Sequence, residues 1–104
     1  MTVLAYVPDL MDRSKVAAAA PHAVFVADPE ALVATAAAGD LVVVDLGRPG
    51  VTDVLPALAA AAARVIGFGS HVDRATLEAA TRAGCSEVLA RSAFFRDLPA
   101  LLAP

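Results

Sequence analysis

The sequence predicts an α/β sandwich of three layers, a five-stranded parallel sheet covered by helices on both faces. Three observations carry this prediction. Short apolar runs of strand length recur at residues 3–7, 23–27, 41–45, 64–68 and 86–90. Between them lie helix-forming, alanine-rich stretches joined by short connections. Parallel strands need crossovers of this kind, and right-handed crossovers place helices on both faces of the sheet. Finally, the run LVVVD at 41–45 shows no polar alternation before its last residue, so both of its faces are buried, as in a central parallel strand.

The first strand, 3–7, stops at Pro8, and Asp9 is placed to cap a helix to about Ala20, where Pro21 ends it. After the second strand, 23–27, Asp28-Pro29-Glu30 is a strong helix start. It puts a carboxylate at the N-cap, proline at the first helical position and an acid in the positive first turn. Gly39 is expected to end that helix in the left-handed conformation. The third strand reaches Asp45, and the chain then turns through Gly47, Pro49 and Gly50. Thr52 or Asp53 is expected to cap a helix to about Ala62, which leaves Pro56 in its first turn, where a missing N–H is tolerated. Gly69-Ser70-His71 follows the fourth strand, 64–68; Asp73 caps a helix over 74–83, and Gly84 ends it. The fifth strand, 86–90, leads through a loop at 93–96 to a short last helix, capped by Asp97 and running through Leu102. Five strands alternating with five helices in one domain, 1–104, fit the flavodoxin-like strand order 2-1-3-4-5.

Composition narrows the function. A chain with 59% hydrophobic and 18% charged residues folds around a core, and 104 residues suffice for one core. A net charge of -3, with Lys and Arg scattered singly, argues against direct nucleic-acid binding. No segment reaches the roughly 18 apolar residues of a membrane span. Met1-Thr2-Val3 enters the first strand without a basic flank, so a cytoplasmic location is the expectation, and a lone Cys85 fits a reducing compartment.

In a parallel sheet the carboxyl ends of the strands are where ligands bind, which puts Asp45 first among candidate site residues. The segment VVVDLGRPG resembles that of bacterial response-regulator receiver domains, in which a phosphoacceptor Asp ends the third strand and Pro and Gly follow at the spacing of Pro49 and Gly50. The run Arg82-Ala83-Gly84-Cys85-Ser86-Glu87-Val88-Leu89 is similar to the family's entry into its fifth strand. The resemblance extends over nearly the whole chain. It implies phosphoryl transfer to a carboxylate, with Mg²⁺ held by an acidic pair after the first strand, a Lys ending the fifth, and a hydroxyl after the fourth.

The chain departs from that pattern at each supporting position. The acidic pair falls on Pro8 and Asp9, which leaves Asp9 and Asp45 as a weak Mg²⁺ seat. The Lys position is Arg91, a planar fork in place of a compact ammonium, and it is followed by Ser92 in place of Pro. The hydroxyl position is Gly69, with Ser70 beside it. Asp9 also has a simpler role as a helix cap, and Arg91 is expected across the sheet edge from Asp45, where it would hold that carboxylate ionised. Ser70 and His71 lack a nucleophile elbow, so hydrolysis is set aside. Phe94, Phe95 and Leu98, with Leu101 and Leu102, are expected near a partner-facing surface.

The expected function is thus a pseudo-receiver: a regulatory, non-enzymatic domain in bacterial signalling. It would act by protein contact, with impaired phosphotransfer and no cofactor beyond weak Mg²⁺. A homodimer through the fourth helix, fifth strand and fifth helix is one form of that contact. Two alternatives stay open: a working receiver switched by phosphorylation of Asp45 with Mg²⁺, and an unrelated flavodoxin-like protein binding a small ligand at the same edge. The latter lacks a glycine-rich phosphate loop after the first strand.

Overall fold

A computed structural model describes residues 2–103; Met1, which the sequence places ahead of the first strand, lies outside them. The described residues form five strands and six helices: β1 (Val3–Tyr6), α1 (Leu10–Ala19), β2 (Val24–Phe25), α2 (Pro29–Thr35), β3 (Leu41–Asp45), α3 (Val51–Ala60), β4 (Arg64–Gly69), α4 (Arg74–Arg82), β5 (Glu87–Ala90), α5 (Arg91–Arg96) and α6 (Leu98–Leu101). All strand pairs are parallel, in the order β2-β1-β3-β4-β5. This is the flavodoxin-like order expected from the alternation of strands and helices.

The period-two geometry of strands divides the core in two. Leu4, Val42, Val44 and Val65 face one side, where Leu32 of α2, Leu55 and Leu58 of α3 and Ala80 of α4 cover them. Ala5, Val43, Ile66 and Phe68 face the other, under Val16 of α1, Phe94 of α5 and Leu98 of α6. All five residues of β3 are buried, as its unbroken apolar run requires. Among the described residues, no helix is long and apolar enough to cross a membrane.

Three helix caps match the carboxylates that the sequence offers: Asp9, Asp28 and Asp73 each accept from a backbone N–H in the first turn. Elsewhere the structure corrects the sequence-based boundaries. α2 ends at Thr35, not Gly39; Asp40 then accepts from the Ala37 N–H at 2.9 Å and the Thr2 N–H at 3.1 Å, and Gly39 supplies the positive φ of that turn. α3 begins after Gly50, whose φ of 83° starts it two or three residues earlier than a Thr52 or Asp53 cap would. Pro56 therefore lies inside the helix, beyond its first turn. The segment expected as a loop at 93–96 is helical within α5. Asp97 makes no side-chain cap to α6; its carboxylate is engaged by Arg96 at 3.0 and 3.1 Å.

Candidate functional site

The carboxyl ends of β1, β3, β4 and β5 bring Asp9, Asp12, Asp45, Arg48, Gly69 and Arg91 to one edge of the sheet. Asp45 ends β3 opposite Phe68 of β4, and the Leu46 N–H still donates to the Phe68 carbonyl at 2.8 Å, so the ladder runs one bond past the acid. The Asp45 side chain is only 10% exposed and is met by its own loop. The Gly47 N–H donates to Oδ1 at 3.0 Å, and Arg48 Nε donates to Oδ2 at 3.3 Å. A Cβ at Gly47 would stand 3.3 Å from that Oδ1, so a glycine allows the loop to close on the carboxylate.

Arg91 does not pair with Asp45 as expected. Its Nη2 donates to Asp12 Oδ1 at 2.7 Å, and the guanidinium lies over the rings of Phe68 and Phe95, 5.4 and 5.3 Å from their centroids. The reason is positional. Arg91 is the first residue of α5 and leans toward α1, where Asp12 is buried in the first turn of the helix, while Asp45 is already served by Arg48. The Asp12 bond, and more weakly the fields of Asp12, Asp45 and Asp9, hold the Arg91 guanidinium above its ordinary pKa.

Asp9 is exposed and acts as the cap of α1, its Oδ1 accepting from the Met11 N–H at 3.0 Å and the Asp12 N–H at 2.9 Å. The Asp12 N–H, then that of Met11, and more weakly Arg48 and Arg91, draw its pKa below the usual aspartate value. Gly69 closes β4 with no room to spare: an added Cβ would lie 3.1 Å from Leu77 Cδ2. Ser70 is exposed in the next loop, and its Oγ accepts weakly from the Val72 N–H at 3.4 Å.

Magnesium binds through carboxylate oxygens that are free to face it. Here Asp45 has both oxygens engaged, Asp12 carries Arg91, and Asp9 spends one oxygen on two backbone N–H groups. Among the described residues, no group of three or more His, Cys, Asp or Glu is placed to hold a metal ion. Asp9 and Asp45 by themselves do not make up such a group.

The residues expected at a partner surface divide. Phe94 is fully buried and Leu98 nearly so, both in the core beneath α1. Phe94 stacks on Phe68 at 4.5 Å, and Phe95, half-buried, meets both rings edge-on. Two adjacent aromatics can thus both serve the fold when they lie on a helix rather than in a loop. Phe95 keeps an outer face, over which Lys15 Nζ sits at 4.9 Å.

No known family model matches this chain, and no curated protein matches it. Among solved structures it is similar to a crystal structure described as that of a CpaE2 pilus assembly protein from Sinorhizobium meliloti. The TM-score is 0.62 at 22% identity, over 96% of this chain and 95% of the other. The two chains share a flavodoxin-like fold over these spans.

Proposed function

We propose that this chain is a receiver-like regulatory domain of bacterial signalling that works through protein contact, is not an enzyme and has lost efficient phosphotransfer at Asp45. One observation carries the reading: the charged groups that phosphoryl transfer would call on are already engaged within the chain. Asp45 is held by Gly47 and Arg48, and Arg91 is held by Asp12. A nucleophilic carboxylate must present a free oxygen, and a transferred phosphoryl group needs an uncommitted cation. Pro8 and Gly69, at the positions where the resemblance asks for an acid and a hydroxyl, work in the same direction.

The partner in this reading is a protein, and a second copy of the chain docking through α4, β5 and α5 is its simplest form. The half-buried residues of β5 support that surface, whereas Phe94 and Leu98 are used by the core and the outer face of Phe95 carries Lys15 of α1. The likeness to a chain described as a pilus assembly protein is in keeping with a domain that works in an assembly rather than on a substrate. A cytoplasmic location belongs to the same proposal.

The decisive experiment is incubation with acetyl phosphate and Mg²⁺, followed by intact-mass measurement. The expected result is no stoichiometric adduct. A stoichiometric phosphate adduct that disappears in Asp45→Ala would establish the working receiver instead. Sedimentation of the pure protein tests the dimer, and a strict monomer at high concentration would remove that form of the contact.

A further inference from the structure

We propose that the carboxyl edge of the sheet is a docking surface for a second copy of this chain, related to the first by a two-fold axis through the turn after β3. This rests on the reading of the chain as a domain that works by protein contact, and it adds a face distinct from the one made by α4, β5 and α5.

Among the described residues, the large apolar side chains that stand furthest into solvent are Leu10, 77% exposed, Val72, 76%, and Met11, 74%. The next, Val24, is 46% exposed. Exposed apolar residues scattered singly are ordinary at a protein surface. These three share one end of the molecule. Leu10 and Met11 open α1 shortly after β1, and Val72 lies between β4 and α4. β1 and β4 are the two neighbours of β3, so the strand ends that lead to these residues are about 10 Å apart, twice the strand spacing. None of the three packs in either half of the core. Contact with another surface is what would take them out of water.

The two flanks of this edge carry complementary charge. Asp9 stands beside Leu10 and Met11 on the β1 side, and Arg74 follows Val72 on the β4 side; both are exposed. Between them, Arg48 is neutralised at 3.3 Å by Asp45 of its own turn. A patch divided in this way finds its complement in itself. A two-fold axis perpendicular to the sheet, passing through the β3 turn, lays the β1 flank of each copy on the β4 flank of the other, as an isologous contact requires. Leu10 and Met11 then meet Val72, and Asp9 faces Arg74, twice over. A partner of one charge sign would instead meet a like charge on one flank. Exposed ion pairs set orientation more than strength, so the apolar contact carries the association and salt weakens it only modestly. Docking of this kind closes the edge over Asp45, and the place where a parallel sheet ordinarily receives a ligand becomes a joint between copies.

A concentration series of the whole chain, followed by amide NMR shifts and by sedimentation, tests the surface. Over a rise of about a hundredfold, the amides of residues 9–11 and 71–74 should move together while sedimentation reports a dimer. Leu10→Ser combined with Met11→Ser, and separately Val72→Asp, should each weaken the dimer about tenfold or more. Arg74→Glu should weaken it about two- to fivefold, and less at high salt. Because the substituted side chains are exposed, each variant should melt within about 2–4 °C of the parent, which separates lost contact from lost fold. A protein that stays monomeric across the series, a dimer that survives both apolar variants, or shifts confined to residues 82–95 would overturn this surface. In each of those cases the proposed function stands, because its own test is the adduct at Asp45.

Discussion

Gly67→Ala is the substitution for which the structure gives the sharpest expectation. Gly67 lies in β4 between Val44 of β3 and Val88 of β5. In an interior strand, alanine by itself should help by about 0.5–1 kcal/mol, because glycine loses more freedom on folding. Here the added Cβ would fall 2.7, 2.8 and 2.9 Å from Cδ2, Cγ and Cδ1 of Leu46. Leu46 is 2% exposed, so it has no solvent to retreat into. Overpacking of this kind costs about 1–3 kcal/mol and outweighs the propensity gain. A net loss of about 1–2 kcal/mol corresponds to a fall in melting temperature of about 4–16 °C for a domain of this size. Because Leu46 follows Asp45 directly, the shift should also reach the Gly47 amide in an NMR spectrum.

The mechanism is tested by a double-mutant cycle followed by thermal or urea unfolding. Leu46→Ala alone should cost about 2–5 kcal/mol through the cavity it leaves. In that background Gly67→Ala meets no clash and partly fills the space, so its cost should vanish or change sign. Additivity of the two substitutions within about 0.5 kcal/mol would refute the account of Leu46 lying in a trough made by glycine.

Phe94→Ala should destabilise the protein by about 3–5 kcal/mol, as for any large core aromatic, and leave self-association of the remaining folded fraction unchanged. A loss of association at unchanged stability would return Phe94 to an interface. The acid limb of unfolding should depend on Asp40. The N–H groups of Ala37 and Thr2 hold its carboxyl below the usual value of 3.8, so its contribution is present above that pH and is lost as pH falls through the lower folded value. The stability gap between the parent and Asp40→Asn should thus be constant near neutrality and close in strong acid; a gap that widens there would contradict the assignment. Burial pushes the Cys85 thiol above its ordinary range, so native protein at neutral pH should react slowly with a thiol reagent and fully once denatured. Rapid native labelling would show that Cys85 is not enclosed.

The parts of the fold that were legible in the sequence are those decided within a few residues. Asp9, Asp28 and Asp73 announce helix starts because a cap bonds its own first turn. The five strands show as apolar runs, and LVVVD reads as central because neither of its faces is polar. Alanine tracts hide the helix ends: nothing in Ala36-Ala37-Ala38 marks a stop, and α2 ends there because Asp40 offers its carboxylate to the Ala37 N–H. The helix α5 escapes because Arg-Ser-Ala-Phe-Phe-Arg has no cap and no heptad-length pattern.

At the candidate site, the place of Asp45 was readable and its partner was not. Arg48 lies three residues on, a spacing that allows a loop to fold back, so that signal was present though weak. Asp12 as the partner of Arg91 was out of reach, since the pairing depends on strand order and on the lean of α5 rather than on any local pattern.

That same separation bears on how the chain is made. Synthesis runs from the N-terminus, so Asp12 emerges well before Arg91, the residue that will neutralise it. A nascent chain that has finished β4 already owns the centre of its sheet, yet closing α1 over it would bury a lone carboxylate. The aromatic cover for that face, Phe94, arrives with the same late segment as the counterion. The segment that follows β5 therefore delivers charge and packing together, and closure of this face waits for it.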